Sequence, residues 1–259
     1  MELSTVIGNS YVKFALFDGE RAVSRFSVSS KVARSSDEYK LMIRSFIGDH
    51  IANGDVEASV VCSVVPSVTD SVIRALADEI GNKPFVIGPG TRTGFKIKIY
   101  DPTELGADIV SNVAGAKALV PSPFVVMDFD TATTLAIVNA DGDIEGVIIH
   151  PGLKLCLRAL SSNTALLNDV PLDDRRKLIG QNSRESIVSG IINGHISMIN
   201  GFIESIKDEI CKDGEKLSLV ATGKNAAYIV PFCKEIIKTE EDLTHAGNLL
   251  LYRSNIKPN

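Results

Sequence analysis

The chain has 259 residues, which is enough for one large domain or two of ordinary size. Its formal net charge of −5, with basic residues scattered along the sequence, argues against nucleic acid as a main partner. The N-terminus enters an apolar strand at once, without a signal-peptide pattern, so we expect a cytoplasmic protein that does not bind membranes.

The cysteines and histidines show no metal-binding spacing. No C-x-x-C pair or His/Cys cluster occurs, so we expect buried thiols of a reducing compartment, neither paired in disulfides nor bound to zinc. The residues concerned are Cys62, Cys156, Cys211, Cys233, His50, His150, His195 and His245.

The first half of the chain alternates strands and helices, which predicts an α/β fold. Apolar patterns predict strands at 3–17, 22–30, 58–65 and 84–87, and helices at 37–53, 68–80 and 103–119.

The break Pro121-Ser-Pro123 is the predicted domain boundary, giving domains 1–120 and 121–259. The second domain is expected to contain a long helix at 183–211, capped by Asn182 with Glu185, and a strand at 217–221. A final helix is expected at 241–253, packed back on the first domain.

Two segments, 4–19 and 124–142, share one pattern. Each is an apolar strand, a tight turn of small and hydroxyl residues, a second apolar strand and then Asp-Gly. Such turns expose backbone N–H groups without bulk, which is one way to bind phosphate, although Gly-Asn is also an ordinary hairpin dipeptide. Together the two segments predict a duplicated fold in which both turns bind one polyphosphate.

Three charged residues near these turns are candidates for chemistry. Lys13 follows the first turn and can reach a phosphate, although a lone lysine is more often solvated. Asp108 begins a predicted helix, as a general base or as a partner of the helix dipole. Asp128 ends a strand at the second turn, where carboxylates commonly bind a cation beside phosphate.

Short motifs in a fixed order run along nearly the whole chain. They are Val6-Ile-Gly-Asn-Ser10, Ser63-Val-Val-Pro66, Tyr100-Asp-Pro102, Leu105-Gly-Ala-Asp-Ile109, Asp128-Phe-Asp-Thr-Ala-Thr-Thr134, Gly146 with Pro151-Gly152, Asn163-Thr-Ala165, Gly180-Gln-Asn-Ser183 and Ala221-Thr-Gly223. In this order they resemble the D-x-G-N-T/S, S-x-V-P, Y-x-x-P, G-A-D-R, D-x-G-T-A-T-T, G-G-x-I-x-P-G, N-T-A, G-x-N-T and T-G-G stretches of the type III pantothenate kinases. That family is part of the actin/Hsp70/sugar-kinase superfamily.

The resemblance implies two ribonuclease-H-like domains with ATP in the cleft between them. It also implies a homodimer, with pantothenate as the small-molecule substrate, and a reaction that moves the γ-phosphoryl group of ATP to the pantothenate hydroxyl in coenzyme A synthesis. The implied cofactors are Mg²⁺ and a monovalent cation, K⁺ or NH₄⁺.

The same resemblance assigns a role to each matching residue. Asp108 is the implied catalytic base, and Asp128 the implied ligand of the monovalent cation. The implied ATP-binding residues are Gly8, Asn9, Ser10, Lys13, Thr131, Thr133 and Gly223, and the implied pantothenate-binding residues are Tyr100, Gly106, Ala107, Asp108 and Ser183.

Five positions depart from the family pattern, and they fall on ligand positions. Val6 stands where the family has an aspartate near the metal, and Ile109 where it has the arginine for the pantothenate carboxylate. Asp130, Val147 and Lys224 each replace a glycine. An unneutralised carboxylate about 4 Å from a phosphate costs roughly 4 kcal/mol at an effective dielectric constant near 20.

These departures leave three functions open. The first is a pantothenate kinase in which Asp130 supplies the metal ligand that Val6 lacks. The second is a catalytically inactive dimeric relative with a binding or regulatory role. The third is a kinase for another small hydroxylated acceptor, because no residue was found to substitute for the arginine at position 109.

Overall fold

The structure, a computed structural model, describes residues 1–164, 170–172, 177–212, 214–235 and 237–256. It consists of two compact units. Unit 1 comprises Met1–Gly94, Tyr100–Ala118 and Asp242–Asn259, and unit 2 comprises Phe95–Ile99 and Leu119–Glu241. The predicted domain bounds, 1–120 and 121–259, stay a prediction.

The helices and strands follow one another along the chain as the alternating pattern predicts. The strands are β1 (Glu2–Ile7), β2 (Tyr11–Asp18), β3 (Arg21–Ser29), β4 (Ala58–Ser63), β5 (Phe85–Val86), β6 (Phe124–Phe129), β7 (Ala132–Val138), β8 (Ile144–Pro151), β9 (Ser218–Thr222) and β10 (Lys238–Thr239). The helices are α1 (Ser36–Ala52), α2 (Pro66–Ile80), α3 (Ala107–Lys117), α4 (Leu153–Asn163), α5 (Ser183–Ile210), α6 (Ala226–Ile229) and α7 (Leu243–Ile256).

The two sheets have the same topology. The strand order is β3-β2-β1-β4-β5 in unit 1 and β8-β7-β6-β9-β10 in unit 2, counted from equivalent edges. In both, the first strand pairs antiparallel with the second and parallel with the fourth. The duplication predicted from the two hairpins is therefore present in the fold.

Unit 1 has a helical layer on each face of its sheet. Leu3 and Ile7 of β1 pack into a core shared with Tyr39 and Ile43 of α1 and Leu76 of α2. The opposite face carries α3 and α7, whose backbones approach closely. A Cβ at Gly247 of α7 would lie 1.8 Å from the Ser111 carbonyl oxygen of α3, so this crossing requires a residue without a side chain.

A buried polar contact joins the last helix to the first strand. The Ser4 hydroxyl lies 2.9 Å from Nδ1 of His245 and accepts a hydrogen bond from the Asn248 side-chain amide at 3.0 Å. All three side chains are buried. Because buried polar groups are costly unless they are hydrogen-bonded, this contact helps fix α7 on the sheet.

Unit 2 is organised around the 28-residue helix α5. By length and composition α5 could cross a membrane, but 44% of its most apolar 18-residue window is already buried. Ile191, Ile199 and Ile203 of α5 pack against Val125 and Leu219 of the sheet. Length and composition are weak indicators here, since a core helix has the same properties.

The structure corrects several details of the predicted elements. The helix predicted at 103–119 is a 3-10 turn at Pro102–Glu104 followed by α3, because Leu105 and Gly106 adopt extended backbone angles. The expected capping box at α5 is half formed: Asn182 accepts from the Glu185 backbone, but Glu185 accepts from the Gln181 backbone instead of Asn182. Strand β8 and helix α4 were not predicted.

The cysteines are all free, as expected, but only Cys62 is buried. Cys156, Cys211 and Cys233 are partly exposed. The expectation of four buried thiols was therefore wrong for three of them.

The buried histidine of α7 predicts a pH dependence of stability. Burial lowers the pKa of His245 to about 4 from an ordinary value of 6.5, with Lys13 and Arg25 adding to the shift and Asp242 opposing it. Between these two values the unfolded chain binds a proton that the folded chain does not. Stability should therefore fall by roughly 3 kcal/mol as the pH decreases through this window, and this group should have no effect above it.

This prediction is tested by thermal unfolding of the wild type and His245→Gln between pH 7 and pH 5. The variant should lose less stability over this range, and the His245 ring of the folded wild type should show no NMR titration above about pH 5. A ring that titrates near its ordinary pKa in the folded protein would contradict the prediction.

Candidate functional site

The first turn, residues 8–10, connects the central strand β1 to β2. The Gly8 N–H donates to the Tyr11 carbonyl oxygen at 3.0 Å, and the Ser10 carbonyl oxygen accepts from the Ser30 N–H at 3.1 Å. Asn9 is exposed at the tip, and Gly8 and Ser10 are partly exposed. Backbone hydrogen bonds thus fix the turn and leave its tip accessible to a ligand.

Three residues behind the first turn share one face of the sheet. Val6 pairs with Lys13 of β2 on one side and with Cys62 of β4 on the other. Paired residues on neighbouring strands project to the same side of a sheet. The family's metal position is therefore an apolar residue beside a lysine.

Asp108, the predicted base, lies on this same face. It occupies the first turn of α3, and its Oδ1 accepts from the Ile109 N–H at 2.9 Å. Burial raises the pKa of the Cys62 thiol, and the negative charge of Asp108 raises it further, which places the Asp108 carboxylate near Cys62.

Gly106 is what allows Asp108 to take this position. A Cβ at Gly106 would lie 2.4 Å from Asp108 Oδ1. The glycine of the Gly-Ala-Asp motif therefore makes room for the carboxylate that follows it. In the described part of the chain Gly106, Ala107 and Asp108 form one local group at the start of α3.

The other predicted acceptor residues lie outside this local group. The Tyr100 side chain is fully exposed, ahead of the 3-10 turn. Ser183 is exposed at the first position of α5 in unit 2. Of the motif Asn163-Thr-Ala165, Ala165 lies outside the described residues.

The second turn, residues 130–131, connects the central strand β6 to β7. The Asn225 backbone N–H donates to the Phe129 carbonyl oxygen at 2.9 Å, and its side-chain amide donates to the Asp130 carbonyl oxygen at 3.1 Å. Thr131 is partly exposed, whereas Thr133 is only 1% exposed. Asn225 therefore holds the turn in place, a role that the sequence did not indicate.

Two glycines pack directly against this turn. A Cβ at Gly152 would lie 2.4 Å from the Thr131 carbonyl oxygen and 2.7 Å from that of Asp130. A Cβ at Gly223, whose φ is +92°, would lie 2.5 Å from Asp128 Oδ1. Any side chain at either position would displace the turn or the carboxylate, which explains these glycines in physical terms.

The second turn has the oxygen ligands that hard cations prefer. Asp128, the last residue but one of β6, lies between Thr134 of β7 and Thr222 of β9, and Asp130 follows two residues later. Carboxylate and hydroxyl oxygens of this kind suit Mg²⁺ or K⁺. Among the described residues none other than glycine has a positive φ, so Asp130 fits the turn without backbone strain.

In unit 1 the two positions that depart from the family pattern carry no such ligands. Val6 is 7% exposed and Ile109 is 9% exposed, so both are packed as core residues. An isopropyl or sec-butyl group can neither bind Mg²⁺ nor pair with a carboxylate. In unit 2 Lys224 is exposed and Val147 is partly buried.

The contact of Gly152 with the second turn generates a prediction. In Gly152→Ala the new methyl group meets backbone atoms that cannot rotate away, so we expect a loss of about 1–3 kcal/mol in the stability of unit 2. The matched control is Gly146→Ala, also in the β8 region, where a Cβ would meet nothing within 4 Å. The control should change stability by about 0.5 kcal/mol or less, and equal thermal shifts in the two variants would contradict the prediction.

The fold is shared with solved structures of low sequence identity. A Baf family protein from Campylobacter jejuni superposes with a TM-score of 0.62 at 18% identity over 98% of each chain. The component A of (R)-2-hydroxyglutaryl-CoA dehydratase from Acidaminococcus fermentans superposes with a TM-score of 0.52 at 14% identity over 99% of each chain. These similarities, with the repeated sheet topology, confirm the predicted ribonuclease-H-like, actin-like fold class.

Relatives detected by sequence share a higher identity with this chain than these solved structures do. A type III pantothenate kinase of Thermobifida fusca is 33% identical over 257 residues, which cover 98% of this chain and 100% of the relative. A type III pantothenate kinase of Acholeplasma laidlawii is 36% identical over 251 residues, which cover 97% of this chain and 98% of the relative.

The model of the protein family described as type III pantothenate kinase matches residues 3–205 of this chain. This range contains both turns and Asp108. Membership of a kinase family supports the use of ATP with a divalent metal and a small-molecule substrate. The chain belongs to the type III pantothenate kinase family.

Proposed function

We propose that this protein transfers the γ-phosphoryl group of ATP to the hydroxyl of pantothenate, the first step toward coenzyme A. The observation that carries the proposal is in unit 1, where the Asp108 carboxylate and Lys13 share one face of the sheet beside a turn with accessible backbone. Phosphoryl transfer needs mainly positioning and charge neutralisation, which a base, a cation and exposed N–H groups supply.

Asp108 is proposed as the general base. It accepts the proton of the substrate hydroxyl as the oxygen attacks the γ-phosphorus. The carboxylate is supported by the Ile109 N–H and by the start of α3, and Gly106 leaves space in front of it. Tyr100, Gly106, Ala107 and Ser183 are the proposed acceptor contacts.

The turns are proposed to bind the phosphates of ATP. Asn9 and Ser10 contribute backbone N–H groups and the Ser10 hydroxyl, and Lys13 supplies positive charge. Gly8 closes the turn, because its own N–H donates to the Tyr11 carbonyl oxygen. In unit 2 the partly exposed Thr131 provides a hydroxyl at the turn, and Thr133 and Gly223 support the shape of the turn.

The cations are proposed to bind at the carboxylates of the second turn. Asp130 supplies Mg²⁺ with the carboxylate that position 6 lacks, and Asp128 binds K⁺ or NH₄⁺. When bound, Mg²⁺ neutralises phosphate charge. A cation held by Asp130 would also offset the electrostatic penalty of a carboxylate next to phosphate.

Two further assignments follow from the family and are proposals only. The protein is a homodimer, and it acts in the cytoplasm. Analytical ultracentrifugation measures the first directly.

A second function, that of an inactive relative with a binding role, is favoured by one observation. Val6 and Ile109 are packed apolar residues at two ligand positions, and their burial stabilises the fold without any ligand. A kinase for another acceptor is the remaining alternative, since Ile109 removes the contact expected for the pantothenate carboxylate. Product analysis by mass spectrometry with a panel of hydroxylated acids separates these alternatives.

The base role of Asp108 predicts a specific loss of turnover. Asp108→Asn should lower kcat with ATP, Mg²⁺, K⁺ and pantothenate by about 10²- to 10⁴-fold, because the amide accepts no proton, while ATP binding stays unchanged. The control is Asp18→Asn, an exposed carboxyl at the end of β2 in the same unit. Turnover at the wild-type rate in Asp108→Asn would end this assignment, and an inactive wild type would favour the second function.

The compensation by Asp130 predicts a change in metal dependence. Asp130→Gly should lose most of the Mg²⁺-dependent part of ATP binding in calorimetry, because a carboxylate ligand is removed. Asp141→Gly, an exposed aspartate in the turn before β8, is the control and should bind ATP as the wild type does. If Asp130→Gly binds MgATP as tightly as the wild type, or more tightly, the compensation is wrong.

A further inference from the structure

Three side chains of unit 2 that are far apart in sequence bring metal-binding atoms together. They are His150 at the end of β8, Cys156 in α4 and His195 in α5, and their ligand atoms all lie within 4.8 Å of one another. The sequence spacing of these residues predicts no metal site, because side chains this far apart in the sequence meet only in the folded chain.

All three ligand atoms point at one backbone oxygen. The Pro151 carbonyl oxygen is 2.8 Å from His150 Nδ1, 3.1 Å from His195 Nε2 and 3.5 Å from Cys156 Sγ. A carbonyl oxygen has two lone pairs, so it cannot serve three donors equally well. The three side chains therefore compete for one acceptor.

His195 has the arrangement that metal-binding histidines usually have. Its Nδ1 lies 2.9 Å from the Ile191 carbonyl oxygen, one helical turn earlier, and its side chain is 4% exposed. When Nδ1 donates to that carbonyl, Nε2 is unprotonated and cannot donate to the Pro151 oxygen 3.1 Å away, so its lone pair is available to a cation. Metal-binding histidines typically donate their other N–H to a backbone carbonyl or carboxylate in this way.

We infer that His150, Cys156 and His195 form a site for a borderline-soft divalent cation, of which Zn²⁺ is the representative. Two imidazoles and one thiolate match the nitrogen and sulfur ligands of Zn²⁺, at about 2.0–2.3 Å from the metal. Tetrahedral geometry then requires ligand atoms about 3.5 Å apart, a modest contraction of the cluster. Binding releases the Cys156 thiol proton to solvent, and the Pro151 oxygen or a water completes the coordination.

The site does not depend on the proposed kinase activity. Its ligands are nitrogen and sulfur, whereas the second turn offers oxygen ligands for Mg²⁺, and these classes of metal prefer different ligands. Its test therefore uses binding as the readout, so a chain without phosphoryl transfer would still give a clear result.

The test is Co²⁺ titration of the full-length protein after treatment with a chelator. Tetrahedral Co²⁺ bound to a thiolate gives visible bands and a sulfur-to-metal charge-transfer band. We expect one Co²⁺ per chain, displaced by Zn²⁺, and a rise of the thermal midpoint with Zn²⁺. No saturable Co²⁺ spectrum in the wild type would overturn the site.

Variants show whether these residues bind the metal. Cys156→Ser should abolish the charge-transfer band and weaken binding by about 100-fold or more, and His150→Gln should weaken it comparably. Both residues are partly exposed, so these variants should fold even if His195→Gln does not. The matched control is Cys233→Ser, a partly buried cysteine of unit 2 outside the cluster, which should keep the wild-type spectrum. A band that persists in Cys156→Ser, or that disappears in Cys233→Ser, would contradict the assignment.

Discussion

The central strands β1 and β6 are hydrogen-bonded to a neighbouring strand along both edges, and this pairing determines where the candidate site residues lie. Strand β1 pairs with β2 and β4, and β6 pairs with β7 and β9, so the carboxyl end of each central strand has a fixed position. Each turn begins at that end. Because both faces of the sheet are covered in unit 1, a register slip of one residue would move Val6 and Lys13 to the wrong face. The register between β1 and β2 therefore holds Lys13 on the face of the sheet against which Asp108 lies. The residues of the turn alone would not determine on which face Lys13 lies.

The departures from the family pattern have opposite physical consequences in the two units. At position 6 an aspartate would have to be kept charged on a buried face, whereas Val6 fits a strand between Lys13 and Cys62 without that cost. At position 130 a charge is added where the backbone is partly exposed and φ is negative. Neither change strains the fold. The fold therefore accommodates both an apolar residue at position 6 and a carboxylate at position 130.

The sequence predicted the elements whose pattern is local, and missed those whose cause is tertiary. The two hairpins, α5 and the strand–helix alternation follow from apolar periodicity and turn residues, and all appear. Strand β8 is mostly half-exposed and shows no regular alternation of buried and exposed residues. Helix α4 is amphipathic, with buried Leu153 and Leu157 one helical turn apart, so its local pattern would have predicted it. The roles of Gly152 and Asn225 depend on contacts with residues about 20 and 95 positions away, which no local spacing reveals. Likewise, His150 and His195 are 45 residues apart and meet only because β8 and α5 pack in one unit.

The segment Pro151–Gly152 has a double structural role in unit 2. On one side Gly152 contacts the backbone of Thr131 and Asp130, and on the other the Pro151 carbonyl oxygen is the centre of the His150, Cys156 and His195 cluster. A proline before this glycine restricts the backbone, and the glycine allows the close approach. A cation held by the three side chains would restrict the same segment further. The shape of the second turn is therefore set by tertiary contacts behind it as much as by its own residues, so a glycine-to-aspartate change within the turn can leave its backbone intact.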